Sequence, residues 1–317
     1  MRKISSPFSC QSARGRLAGT ILADIDDLSK PIRKFLVTIF SQWWGVIGRY
    51  NFINMSRFMS YGEQALRNGY RRGFSFYDFN HRLVKMKCSD SVILAFDPSF
   101  IRKSGKHTAG VDYFWSGKDQ RVKKGLEVGC LAAIDVKNET AFHLEAVTTP
   151  NAKTRKKEKK SLVVHYREFI LSRAAKLLEI SNILAVDGYF MKREFILPLV
   201  KKGIHVITKM RSDANLKYLY DGKEGKGRGR KRKHDGKVNL KKLQKDKWDK
   251  IFSNKKEACY LAELFCVQLK MNVRIVYYLH KETGSYEIFL CTDTSISAKK
   301  ICKYYRLRFQ IEFLIRD

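Results

Sequence analysis

Hydrophobic and polar positions change rhythm three times along this chain, and each change marks a different kind of element. Up to residue 88 the apolar residues recur at helical spacing with no clear strand. Helices are predicted over 32–47, 55–68 and 77–86, punctuated by Gly62, Gly69 and Gly73. From Ser91 the texture becomes short, continuous apolar runs of the kind that build buried strands. The run SVILAFD over 91–97 ends in Asp97 and is followed by Pro98; two further strands are predicted over 126–134 and 141–147. A helical period over 162–178 leads to a second apolar strand, ILAVD, ending in Asp187. A helix over 191–201 and a third strand over 204–208 follow. Strand, helix, strand in this order implies a parallel crossover. A hairpin turn at Asp187-Gly188 is disfavoured, because a helical segment follows it rather than a partner strand.

The third change comes after residue 210. Strands over 258–269, 273–280 and 286–291 read as antiparallel, with a Thr283-Gly284 turn before the last, and suggest an inserted β-rich lobe. The final stretch, 294–317, returns to helical spacing. Ser295 or Ser297 can cap it, Leu307, Ile311, Leu314 and Ile315 share one face, and no Gly or Pro follows within the chain. The pattern thus gives an α/β chain in four parts. They are a helical region over 1–88, a core over 89–210, an inserted lobe over 211–293 and a last core helix over 294–317.

Composition narrows the partner. Lys and Arg number 63 against 31 acids, a formal net charge of +32 in a 317-residue chain that is 44% hydrophobic. Such an excess in a foldable sequence points to a polyanion, and no polybasic anchor beside a span favours a membrane instead. The most apolar N-terminal run, 35–47, is too short to cross a bilayer and is interrupted by Ser41 and Gln42; it does not fit a signal peptide either. Seven scattered cysteines without a Cys-x-x-Cys argue against a zinc site and for reduced thiols in a cytoplasm. Aromatics and bases interleave in the first region, among them Trp43, Trp44, Arg49, Arg57, Tyr70 and Arg72. This suits DNA backbone contact and equally suits a helical core with a solvated rim. The tract GKGRGRKRK, with Arg228, Arg230, Lys231 and Arg232, is either a solvated tip or a phosphate-tracking finger.

Candidate chemistry sits at the carboxylates. Asp97 and Asp187 each end an apolar strand, and Asp135 competes with Asp97 because it too ends an apolar run. Asp135 is read as a turn residue, since it is followed by Asn138 and Glu139 between two strands. On the last helix Tyr305, Arg308 and Glu312 are offset by three and four residues, which brings a phenol, a guanidinium and a carboxylate within about 60° of one another. That edge is either an ordinary polar rim or a functional one. Hard divalent cations take oxygen ligands, and two of them about 3.5–4 Å apart can activate a hydroxyl and stabilise a leaving oxygen in phosphodiester chemistry.

Tyr305-x2-Arg308-x3-Glu312 resembles the signature of the family-four insertion-sequence transposases, which use three acidic residues for DNA cleavage and joining. The resemblance runs from about Ser91 to the last residue, and more loosely into the N-terminal helices. It implies a ribonuclease-H-like core with Asp97, Asp187 and Glu312 as catalytic, metal-binding residues, holding Mg2+ or Mn2+, two ions in all. It implies that Tyr305 and Arg308 hold DNA phosphates, and it suggests a homodimer on paired double-stranded DNA ends. The signature continues with a Lys seven residues after Glu312, a position beyond residue 317, so the resemblance implies a C-terminally truncated member that is a poor or inactive catalyst as it stands. The expected function is therefore DNA transposition. Two alternatives stay open: a metal-dependent nuclease on the same fold, and a non-catalytic basic DNA-binding relative.

Overall fold

The computed structural model describes residues 13–26, 28–105, 108–117, 119–220, 222 and 232–316. The chain divides into two compact units, Met1–Lys87 and Cys88–Asp317.

The first unit is helical: α1 (Ala13–Ala23), α2 (Lys30–Gln42), α3 (Phe52–Phe58), α4 (Glu63–Tyr70) and α5 (Phe76–Lys87). Pro31 starts α2, where its missing N–H is harmless, and Phe35, Leu36 and Ile39 turn one stripe inward. They meet Leu22, Val46, Met55, Met59 and Leu66 in one core. The sequence predicts one helix over 55–68, whereas the structure has two. The break has a cause: Ser60 N–H donates to Gln42 Oε1 at 2.9 Å, while Gln42 Nε2 donates to Ser60 Oγ at 2.9 Å. The backbone donor that would continue α3 is spent on α2. Helix α1 is not evident in the sequence, where Gly15 and Gly19 weaken the helical signal.

The second unit is built on one mixed sheet. Its first part is β1 (Val92–Arg102), β2 (Asp112–Ser116), β3 (Arg121–Asp135) and β4 (Thr140–Thr148). Helices α6 (Ala152–Glu158), α7 (Leu162–Leu171) and α8 (Ala174–Leu178) lead to β5 (Ile183–Val186). Next come α9 (Arg193–Lys201) and β6 (His205–Lys209). The antiparallel meander β4-β3-β1 continues through parallel β5 and β6. This is the ribonuclease-H-like order that the sequence reading anticipates. Pro198 inside α9 removes the donor for the Glu194 carbonyl, and Arg167 Nη1 on α7 donates to that carbonyl at 2.9 Å instead.

Residues after 210 give β7 (Leu216–Leu219), β8 (His234–Lys237), β9 (Asp249–Ser253), β10 (Glu257–Cys266), β11 (Met271–His280) and β12 (Tyr286–Cys291). These strands extend the core sheet itself in the order β6-β12-β11-β10-β7-β8, with β9 on β10. The chain closes with α10 (Ala298–Leu307) and α11 (Gln310–Arg316).

Two expectations are corrected here. Strand β1 does not stop at Asp97 but runs through Pro98 to Arg102, because β3 keeps pairing with it. Strand β5 covers only Leu94 to Phe96, so beyond that point this side of β1 is an open edge, where a proline is tolerated. The last helix is not continuous. Arg308 N–H reaches Tyr305 O at 3.2 Å, Phe309 N–H reaches Arg306 O at 3.2 Å, and Ile311 N–H reaches Arg308 O at 3.1 Å, a tightening to three-residue turns that separates α10 from α11.

Candidate active site

Strand alternation decides which side chains meet. On β1, Ile93 and Ala95 belong to the core beneath Tyr305, Leu307 and Ile311. Phe96 points the other way, against Tyr166 and Phe190, with ring centroids 5.1 and 5.7 Å apart. Asp97 therefore faces the C-terminal helices. On β5, Ile183 and Ala185 share that core, so Asp187 follows on the same face. The parallel register sets Phe96 beside Val186, which brings positions 97 and 187 side by side. Asp187 is extended and heads the short turn Gly188–Phe190, and its carbonyl accepts from Thr208 Oγ1 at 3.0 Å. Glu312 lies in the first turn of α11, a helix that packs over β4, β3 and β1.

Arg308 occupies the break between the two last helices and is buried. Its Nη1 stands 3.4 Å from Asp97 Oδ1, and its guanidinium covers the rings of Phe309 at 4.6 Å and Tyr305 at 5.5 Å. Its Nε is buried without an acceptor. Burial pushes the Asp97 carboxyl up to about 6; Arg308 pulls it down, while Asp187 and Glu312 push it further up. Burial likewise pushes the Tyr305 hydroxyl up to about 12, with Arg308 lowering it and Asp187 raising it. Asp97 thus feels the charges of Arg308, Asp187 and Glu312, and Tyr305 those of Arg308 and Asp187.

Asp135 behaves differently. It pairs with Val92, five residues along β1 from Asp97, roughly 17 Å away at the usual strand rise. Its carboxylate accepts from Ser89 N at 2.8 Å, Ser89 Oγ at 2.7 Å, Lys137 N at 2.9 Å, Asn138 N at 3.1 Å and Asn138 Nδ2 at 2.8 Å. Burial raises this carboxyl, but the hydrogen bonds from Ser89 and Asn138 outweigh it and hold the group below the usual carboxylate range. Such a residue organises a turn.

Of the four basic residues singled out in the GKGRGRKRK tract, Arg232 alone is described. Arg228, Arg230 and Lys231 lie outside the described residues. Arg232 precedes β8, at the far edge of the sheet from β1. Its Nη2 donates to Asp235 Oδ1 at 2.7 Å, and its guanidinium lies over the Tyr220 ring at 5.2 Å.

Other polar groups share the Asp97 face and were missed in the sequence. Cys130 is the cross-strand partner of Asp97, and its Sγ lies 3.2 Å from His143 Nδ1. Lys209 and Glu287 form an ion pair at 2.9 Å beyond Ile207 and Phe289, which lie in the core under α10. The alternation within β6 and β12 is the signal that would have placed them. Asp97, Asp187 and Glu312 offer carboxylate oxygens, the donor type that suits a hard divalent cation. As placed, no three His, Cys, Asp or Glu side chains among the described residues stand at ligand spacing. Among those residues no helix is long and apolar enough to cross a membrane.

No curated protein matches the chain. The family model described as a transposase DDE domain matches residues 89–317, which spans the whole sheet and both final helices. The chain belongs to the family of transposases that carry this domain.

Proposed function

We propose that this transposase cuts DNA at the ends of an insertion sequence and joins the freed 3′-hydroxyl to target DNA, with Asp97, Asp187 and Glu312 as its catalytic carboxylates. The observation that supports the reading is the β1–β5 register, which sets Asp97 and Asp187 side by side, with α11, the helix of Glu312, packed over β1 and Arg308 paired to Asp97. We assign the chain to the family-four group on the Tyr305, Arg308 and Glu312 spacing, and expect it to act as a dimer on paired ends.

The three carboxylates would hold magnesium or manganese, as two ions. When bound, such ions activate a water or hydroxyl and neutralise the leaving oxygen. The chain's own residues do the rest. Asp97 lies in β1 and Asp187 directly follows the last residue of β5, so the pairing of the two strands sets them at adjacent positions. Arg308, lying against the rings of Tyr305 and Phe309, presents a planar guanidinium, the group that pairs with phosphate oxygens. Tyr305 stays protonated at neutral pH and is a hydroxyl donor beside it.

The test uses DNA from the element's own termini. Asp97→Ala, Asp187→Ala and Glu312→Ala should each abolish magnesium-dependent cleavage while leaving DNA binding largely intact. Normal cleavage by Asp97→Ala, with loss in Asp135→Ala, would overturn the assignment on β1.

A further inference from the structure

The arm formed by β1, β2 and β3 extends well past Asp97. The β1–β3 register is unbroken from Val92↔Asp135 to Arg102↔Gly125, and β3 then pairs with β2 alone through Ser116↔Arg121. Continuous register preserves the alternation of faces. Asp97 sits opposite Cys130, so the even positions of β3 share its face, together with Ile101, Tyr113 and Trp115 from the strands paired to them. The odd positions face away: a Cβ on Gly129 would strike Phe96 and Tyr166, and one on Gly125 would strike Phe100.

On the Asp97 side the arm is unusually apolar for a surface. Tyr113 is 68% exposed, Val122 57%, Trp115 55% and Ile101 42%. Trp115 lies opposite Val122, and Tyr113 opposite Lys124. The charges around them are positive in balance. Lys124 shares their face and Lys103 follows the end of β1, and both are exposed. The nearby acids are engaged: Asp119 ion-pairs Lys123 at 2.6 Å, and Asp112 accepts from the Tyr113 and Ala152 backbone N–H groups at 2.9 and 2.8 Å.

Flat aromatic rings among cations, on the face where the cleaved phosphate is proposed to sit, suit one ligand chemistry. We infer that Tyr113 and Trp115 form a stacking platform for unpaired bases of a DNA strand leading away from the cleavage point. Duplex bases have their faces covered by neighbours, so only a single-stranded or opened segment can use such rings, while the cations follow its phosphates. The reach is consistent. Val122 is eight residues of β3 from Cys130, about 27 Å, or about eight nucleotides at B-form spacing. The inference rests on the reading of the carboxylate patch as a DNA-cutting site. A second copy of the chain is the rival occupant, and the basic surround disfavours it because like charges would face each other.

The experiment compares two labelled probes on the full chain in a metal chelator, by fluorescence anisotropy. One is a blunt duplex of about 20 base pairs; the other adds a single-stranded thymidine extension of about eight nucleotides. Tyr113→Ala with Trp115→Ala should weaken binding of the extended probe by roughly 5- to 100-fold, and leave the blunt probe unchanged. Trp115→Phe, which keeps a ring, should retain most of the affinity. Equal losses on both probes, or none on either, would overturn the platform. So would a variant whose only change is a shift in the sedimentation of the DNA-free chain, which would instead indicate a protein interface. Thermal unfolding of each variant excludes a folding defect, and both side chains are exposed. Cleavage of element-end DNA by wild type, with no selective loss in the variants, sinks the platform and spares the cutting reading. Selective loss in the variants, with a wild type that never cuts, does the reverse.

Discussion

Two aspartates on neighbouring strands show how environment divides one residue type into two roles. Asp97 is partly buried beside Asp187 and Glu312 with Arg308 as its partner, and its carboxyl is pushed up to about 6. Asp135 is buried as well, yet accepts hydrogen bonds from Ser89, Lys137 and Asn138 and is held low. Burial raises both carboxyls; the difference is that hydrogen-bond donors outweigh it at Asp135, whereas at Asp97 the Arg308 charge does not. For Asp135 the pH dependence follows directly. A carboxyl whose folded value is depressed adds stability that is present above its unfolded value near 4 and is lost as pH falls towards the folded value. Asp135→Ala should lower stability at neutral pH by on the order of 3 kcal/mol, because the Ser89, Lys137 and Asn138 donors lose their acceptor. The variant's stability should also fall less steeply in acid than that of the wild type. Urea unfolding at several pH values reads both effects, and parallel acid limbs would contradict the account.

At the scale of elements, β1 is fixed from both sides, and Gly129 shows how tightly. A Cβ there would stand 2.6 Å from Phe96 Cζ and 2.9 Å from Tyr166 Cε1. Gly129→Ala should therefore cost about 1–3 kcal/mol by overpacking, and by moving Phe96 it should also disturb its neighbour Asp97. Chemical denaturation gives the first quantity and cleavage by the still-folded fraction the second; a variant as stable as wild type would contradict the packing argument. Much of this architecture is legible in the sequence, because buried strands such as Ile183–Val186 and Val273 to His280 are nearly continuous apolar runs. Strand β8, His234–Lys237, is not legible: it holds no apolar residue, and its pairing with β7 alone defines it. Strand β2 hides for a different reason, since Tyr113 and Trp115 point outward and blur the alternation. For the candidate site, the acids at Asp97 and Asp187 can be read as the polar ends of apolar runs. Their adjacency cannot, because it depends on a register set between residues about ninety positions apart. The break at Arg308 is equally hidden, since residues 305–312 carry helical periodicity throughout and no Gly or Pro.

At the scale of the whole molecule, charge dominates. A formal charge of +32 must be balanced by counterions or by a polyanion, and phosphate contacts that release counterions make binding fall steeply with salt. Where those contacts lie is a separate question from how many there are. Arg232, a described residue of the basic tract, precedes β8 at the far end of the sheet from Asp97, so DNA held there would span much of the unit. Replacing Arg228, Arg230, Lys231 and Arg232 together by Ala should make the log–log salt slope shallower by up to about three and a half, since each lost phosphate contact removes about 0.9. Arg232→Ala alone should contribute less than its share. Its guanidinium is already committed to Asp235 and to the face of Tyr220, while Lys247 Nζ still holds Asp235 at 2.9 Å when Arg232 is gone. Binding isotherms across a salt series, taken for the single and the quadruple variants, separate these terms. A slope unchanged in the quadruple variant would return the tract to a solvated tip and confine the DNA to the sheet face around Asp97.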